Sequence, residues 1–184
     1  MPGEQAPGLE RLPRGDAGRV SAVLAGSHVA LGLAAWAWAA PHLGASALDP
    51  TALALTAMGS LLPDLDHPRS WVGRRLRVLS RPLAAAFGHR GATHSLLAVL
   101  GAALLLRAHG VGRAVSGPLV IGYLSHLAAD LLTPGGLRLA WPLRGSVAVP
   151  LCRTGSPAEA LVVAAVLAWT AVAAPGVHLH EWVW

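Results

Sequence analysis

Five apolar runs, separated by short polar or Pro/Gly-rich stretches, organise the chain. The first extends from about Val20 to Ala40 and is interrupted by Ser21, Gly26, Ser27 and His28. Its length is roughly the 20 residues that a membrane-spanning helix needs. A second run, Thr51 to Leu62, stops at Pro63 and is followed by the acidic turn Asp64-Leu65-Asp66-His67-Pro68. Arginines then alternate with Trp71, Val72, Leu76, Val78 and Leu79 between Arg69 and Arg90, the pattern of an interfacial amphipathic segment. A third run, Ala92 to Leu106, emerges directly from His89-Arg90-Gly91-Ala92-Thr93-His94, with Thr93 placed to cap it. The fourth, about Ser116 to Thr133, ends at Pro134-Gly135-Gly136, and the fifth, Ala158 to Ala174, closes at Pro175-Gly176. The pattern predicts an all-α fold, a polytopic transmembrane bundle of about five spanning helices with one interfacial segment. Residues 1–19 form a disordered cytoplasmic tail without a cleavable signal peptide, residues 20–175 the membrane-embedded domain, and residues 176–184 a short C-terminal tail.

Composition sharpens that expectation. Of the 184 residues, 54% are hydrophobic and 12% charged, about half the charge of an ordinary soluble domain. With one Phe, the apolar surplus is Ala, Leu, Val and Trp. Trp36, Trp38, Trp182 and Trp184 read as interfacial anchors, and Trp141 could serve likewise. A single cysteine, Cys152, excludes an internal disulfide framework and a Cys-rich metal site. All fourteen basic residues are Arg, and the net charge is +5. Nucleic acid is a poor partner, because the arginines sit between apolar runs, where they set topology and meet anionic lipid. With the N-terminus inside, twelve arginines fall on the cytoplasmic side, against only Arg107 and Arg113 outside.

On that topology the ionisable residues gather at one depth on the cytoplasmic side. His28 lies near the start of the first helix, and Asp64, Asp66 and His67 follow the second. His89 and His94 flank the third, and His126 and Asp130 occupy the last turns of the fourth. Each charged, unpartnered group there costs roughly 2.5 kcal/mol or more, and a shared cation offsets the cost. His126 and Asp130, spaced i, i+4, project from one helix face and can chelate one ion. Asp64 and Asp66 can aim carboxylates at a common centre, or act as turn formers and caps. His/Asp ligands with room for water are the pattern of catalytic zinc, although manganese or iron accepts them too. His28 could instead hydrogen-bond a neighbouring helix, and His89 could orient His94 or contact a phosphate. Arg69 and Arg90 flank the clusters and could bind a phosphoryl oxygen. His42, His109, His178 and His180 fall on the opposite side.

Three stretches together resemble a known family: Gly59-Ser60-Leu61-Leu62-Pro63-Asp64-Leu65-Asp66-His67, His89-Arg90-Gly91-Ala92-Thr93-His94-Ser95, and Gly122-Tyr123-Leu124-Ser125-His126-Leu127-Ala128-Ala129-Asp130. This is the YdjM-like family of LexA-regulated, inner-membrane metal-dependent hydrolases, and the resemblance runs from about Ser27 to Pro142. It implies a bacterial membrane protein with metal-dependent hydrolase activity. The order His, Asp, His, then His-x-x-x-Asp is also faintly similar to the zinc-dependent phospholipase C and P1 nuclease group. Carried over by position, that similarity implies His28, Asp64, His94, His126 and Asp130 as ligands, with Asp130 bridging two ions. The chain departs from that group in lacking a free N-terminal Trp and a second helical His-x-x-x-Glu pair, so one or two ions are expected rather than three.

The resulting expectation is a multi-pass inner-membrane hydrolase that cleaves a phosphoester, lipid-linked or phospholipid, at the cytoplasmic face. Metal-activated water attacks, Asp66 or His89 serves as base or orienting group, and Arg90 steadies the developing charge. The rivals are a metal transporter or sensor built on the same cluster, and a scaffold whose helices are stapled by metal.

Overall fold

Caps at particular residues, more than apolarity, decide where the helices begin. The structure is a computed structural model that describes residues 14–88, 91–175 and 177, with side chains from Ala25 onward. Asp49 accepts a hydrogen bond from the Ala52 amide at 2.7 Å and opens α2 (Pro50–Leu61), with Pro50 in the first turn, where it sacrifices no helical hydrogen bond. Ser70 caps the short α3 (Trp71–Arg75), and Ser156 caps α7 (Pro157–Ala173). Ser95, not Thr93, caps α5 (Leu96–Ala108), accepting from the Ala98 amide at 3.1 Å. The remaining helices are α1 (Arg14–Ala39), α4 (Arg77–Phe87) and α6 (Arg113–Leu131). Two 3₁₀ turns, Pro63–Asp66 after α2 and Ala92–His94 before α5, carry much of the candidate chemistry. The described residues contain no β-sheet, only an isolated antiparallel bridge between Leu137 and Val147.

The all-α expectation holds, but the polytopic transmembrane bundle does not: among the described residues no helix is long and apolar enough to cross a membrane. The caps are one reason. Starting at Leu96 rather than Ala92, α5 keeps 13 residues, about 20 Å of helix against a hydrocarbon core of about 30 Å. With 12 and 17 residues, α2 and α7 are also short. The 19 residues of α6 include Arg113, Ser116, Pro118, Ser125, His126 and Asp130, and α1 reaches 26 residues only by taking in Arg14, Asp16 and Arg19. Runs that read as spans thus become helices of ordinary length, and the arginine count that oriented the site loses the loops it relied on. The stretch expected to be one interfacial segment divides at Leu76 into α3 and α4, and its last two residues, His89 and Arg90, lie outside the described residues.

Small residues draw the central helices together. A Cβ on Gly122 of α6 would stand 2.1 Å from the Thr56 carbonyl oxygen, and one on Gly59 of α2 would stand 2.2 Å from the Leu119 carbonyl oxygen. At both crossings backbone meets backbone, which only glycine permits. α1 lies against both partners, α5 packs on α6, and α7 on α1. Trp36, expected as an interfacial anchor, is instead 2% exposed and packs with Ala40, Ala47 and Ala52. Trp38 donates its indole N–H to Thr170 on α7 at 3.3 Å. Trp141 meets Phe87 edge-on, and Trp182 and Trp184 lie outside the described residues. Large apolar side chains face outward instead: Leu96, Leu97, Leu100, Leu104 and Leu105 on α5, and Leu161, Trp169 and Val172 on α7.

Candidate metal centre

The glycine crossings bring four sequence-distant segments to one buried point. On α6, His126 and Asp130 project from the same face, and the Asp130 carboxylate reaches three imidazoles. Its oxygens lie 3.6 Å from His28 Nε2, 3.6 Å from His94 Nε2 and 3.8 Å from His126 Nε2. His28 comes from α1, one turn before Gly32, and its ring stacks on that of His126 with centroids 3.8 Å apart. His94 meets His126 edge-on at 5.3 Å. Donor atoms of His28, His126 and Asp130 all lie within 4.8 Å of one another, as do those of Asp64, His94 and His126. The two sets share His126. His94 and His126 are fully buried, Asp130 and His28 nearly so, and Asp64 half-buried.

Backbone and side-chain partners set the tautomers. His126 donates from Nδ1 to the Ser60 carbonyl at 2.7 Å, leaving the Nε2 lone pair directed at the cluster. His94 donates from Nδ1 to Asp66 at 3.2 Å, with the same result. Lone pairs of two imidazoles therefore face a carboxylate, an arrangement that repels unless a cation lies between them. Neighbouring ligands of a tetrahedral ion with bonds of about 2.0–2.1 Å stand about 3.3–3.4 Å apart, close to the separations around Asp130. The donor set fits a divalent ion. His28, Asp64, His94, His126 and Asp130, the five residues singled out as ligands from sequence, are all brought together.

Asp66 occupies a different position. It is fully buried and accepts from the Thr93 hydroxyl in a very short hydrogen bond, as well as from His94. This is the carboxylate that commonly orients a metal-binding histidine from behind. The Thr93 segment is held in turn by Tyr123, which donates to the Thr93 carbonyl at 2.5 Å. Burial, and secondarily the charge of Asp66, pushes the Tyr123 phenol well above its usual range, so it remains a donor. The Pro63–Asp66 turn is pinned through the Asp64 carbonyl, which accepts from the Ser70 hydroxyl at 2.8 Å and the His67 amide at 3.1 Å. Ser60 and Tyr123 were not singled out from sequence, and Thr93 only as a helix cap. For Tyr123, the chain's one tyrosine, its place one turn before His126 in an otherwise aliphatic stretch was an available signal.

Other expectations resolve individually. His67 is half-buried, and its Nδ1 accepts from the Arg69 amide at 3.2 Å, while Arg69 itself is exposed. His42 and His109 are exposed and belong to neither candidate ligand set. His89, Arg90, His178 and His180 lie outside the described residues.

Fold and site together define an all-helical protein built around a buried His/Asp cluster able to hold a metal ion. The chain belongs to the YdjM inner membrane protein family, whose model matches residues 23–183. It is 45% identical over 118 residues to inner membrane protein YdjM of Escherichia coli (strain K12), and equally to that of Shigella flexneri. Those alignments cover 60% of this chain and 60% of each relative, so the chain spans less than two thirds of their length. It is also 37% identical over 140 residues to the uncharacterized protein YvsG of Bacillus subtilis (strain 168), covering 75% of this chain and 86% of that one. No solved structure matches.

Proposed function

We propose that the protein is a metal-dependent hydrolase at the inner membrane that cleaves a phosphoester, lipid-linked or in a phospholipid, with one or two divalent ions, zinc before manganese or iron. The observation that carries this reading is the convergence of three buried imidazoles on the Asp130 carboxylate at 3.6–3.8 Å. His28, Asp64, His94, His126 and Asp130 would hold the metal. A bound divalent ion supplies Lewis acidity, polarising the phosphoryl oxygen and activating water. Asp66 is a positioning residue in this scheme rather than a base, because it is shut away from solvent and its Oδ2 accepts from both Thr93 and His94. For His89 and Arg90, roles as orienting group and phosphoryl-binding cation rest on sequence position alone. Membrane association is supported by the names of the Escherichia coli and Shigella flexneri relatives and by the outward-facing apolar side chains, with Trp169 65% and Val172 84% exposed. A transporter reading predicts ligand groups spaced along a path. Among the described residues the two candidate ligand sets instead share His126 and form one locus.

Phosphodiester, phosphomonoester and phospholipid substrates, offered to the protein in detergent, test the reading. Turnover that zinc or manganese supports and a chelator removes is expected; metal-loaded protein inert to all three classes would overturn it. A second expectation concerns Asp66→Asn, which keeps the shape but weakens the hold on His94. Metal affinity, read by chelator competition, should fall about 10–100-fold with helix content unchanged. Unchanged affinity would remove Asp66 from the site.

A further inference from the structure

A polar cavity has Gly91 in its wall, and the Gly91 carbonyl accepts from the His94 amide at 3.2 Å. Its volume is about 470 Å³, and Phe87, Gly88, Gly91, Gly136, Arg138 and Ser146 contribute to its walls. This falls within the range of small-ligand sites. Gly91 opens the turn that carries His94, and Gly136 follows shortly after the end of α6, which carries Asp130. The cavity therefore adjoins two of the four polypeptide stretches that deliver the candidate ligands. Among the described residues, Arg138 is the one charged residue that lines it, and no carboxylate does.

Arg138 is mounted on a braced segment. Leu137 before it is 1% exposed and exchanges two 2.9 Å backbone hydrogen bonds with Val147, and Leu139 after it accepts from the Leu96 amide at 3.0 Å, at the start of α5. Gly136 takes φ +59°, and a Cβ there would stand 2.7 Å from the Val147 oxygen, so the bend itself depends on glycine. Among the described residues Arg138 makes no ion pair, and its side chain is exposed. A guanidinium held on rigid backbone, with nearby glycines leaving the chain bare, is suited to a planar, bidentate anion contact.

We propose that this cavity binds a phosphoryl group and that Arg138 is the residue that holds it, placing an anionic substrate beside the His/Asp cluster. The proposal rests on the phosphoester reading above and adds to it the residue that recognises the anion. The phosphoryl group is that of a lipid headgroup or of a free phosphate.

Titrating inorganic phosphate, and separately dihexanoyl phosphatidic acid, into the purified full chain tests it. Arg138→Gln should weaken binding about 10-fold or more, the scale of one charge-assisted hydrogen bond pair, and Arg138→Lys should recover part of it. Arg144→Gln, an exposed arginine further along the same segment and not in the cavity wall, should leave binding unchanged. Tighter binding of phosphatidic acid than of phosphate, lost in Arg138→Gln, assigns the lipid headgroup; the reverse order assigns free phosphate. No binding of either probe, or equal weakening by Arg138→Gln and Arg144→Gln, would overturn the proposal. Metal content measured in the same samples separates the two claims: metal retained without an Arg138 effect removes only this inference, whereas an Arg138 effect in protein that holds no metal removes only the hydrolase reading.

Discussion

Asp130→Asn is expected to abolish metal binding and turnover together while leaving the fold intact. The substitution preserves shape but removes the charge on which His28, His94 and His126 converge. Loss should exceed the roughly 10–100-fold typical of a supporting group, because Asp130 would be a ligand itself. The metal-free variant should melt no lower than metal-free wild type, since a buried carboxylate has been neutralised. His126→Ala should also strip the metal, but at a cost to stability. It leaves the Ser60 carbonyl without its 2.7 Å donor, a penalty of about 1–3 kcal/mol. Elemental analysis and thermal melts on both variants check these outcomes, and metal retained in Asp130→Asn would remove that residue from the ligand set.

The largest expected effect on folding is at Gly122. In Gly122→Ala the new Cβ would meet the Thr56 oxygen at 2.1 Å and the Ser60 nitrogen at 2.8 Å, both backbone atoms that can yield only if α2 and α6 separate. Overpacking of this kind costs about 1–3 kcal/mol or more. The same separation draws the Ser60 carbonyl away from His126, so metal affinity should fall with stability. Gly101→Ala on α5, where nothing lies within 4 Å, should act oppositely and stabilise by about 0.5–1 kcal/mol through helix propensity. Melting temperatures that move in the same direction for both variants would contradict this account of the α2–α6 crossing.

The candidate site was legible in the sequence to an unusual degree, and the fold less so. The i, i+4 pair His126 and Asp130 signals a shared helix face directly. The segments bearing His28, Asp64 and His94 stand out because ionisable groups are scarce in a chain this apolar. Helix positions were readable from the apolar runs themselves, but not the caps: Asp49, Ser95 and Ser156 open α2, α5 and α7, where the pattern points to Thr93 for α5. Span lengths were not readable either. Apolar runs continue through Ala92 and Thr93, where the backbone has already turned into a 3₁₀ helix that carries His94, and only the Ser95 cap marks where α5 begins. The division between Asp64 and Asp66 was equally hidden. Two carboxylates two residues apart look alike in sequence, and only tertiary contact with Thr93 and His94 shows that Asp66 stands behind the histidine while Asp64 faces the cluster. Glycine at 122 gives no sign in one sequence of what opposes it, because its neighbour, Thr56, is far away in the chain.

The central claim is that the buried His/Asp cluster holds a divalent metal. Elemental analysis of the full chain, purified in detergent without added metal or chelator, addresses it most directly. The account predicts one or two zinc, manganese or iron ions per chain, removed by prolonged chelation and restored on addition of zinc. Protein that is folded, carries no metal and takes up none from a zinc-containing buffer would contradict it.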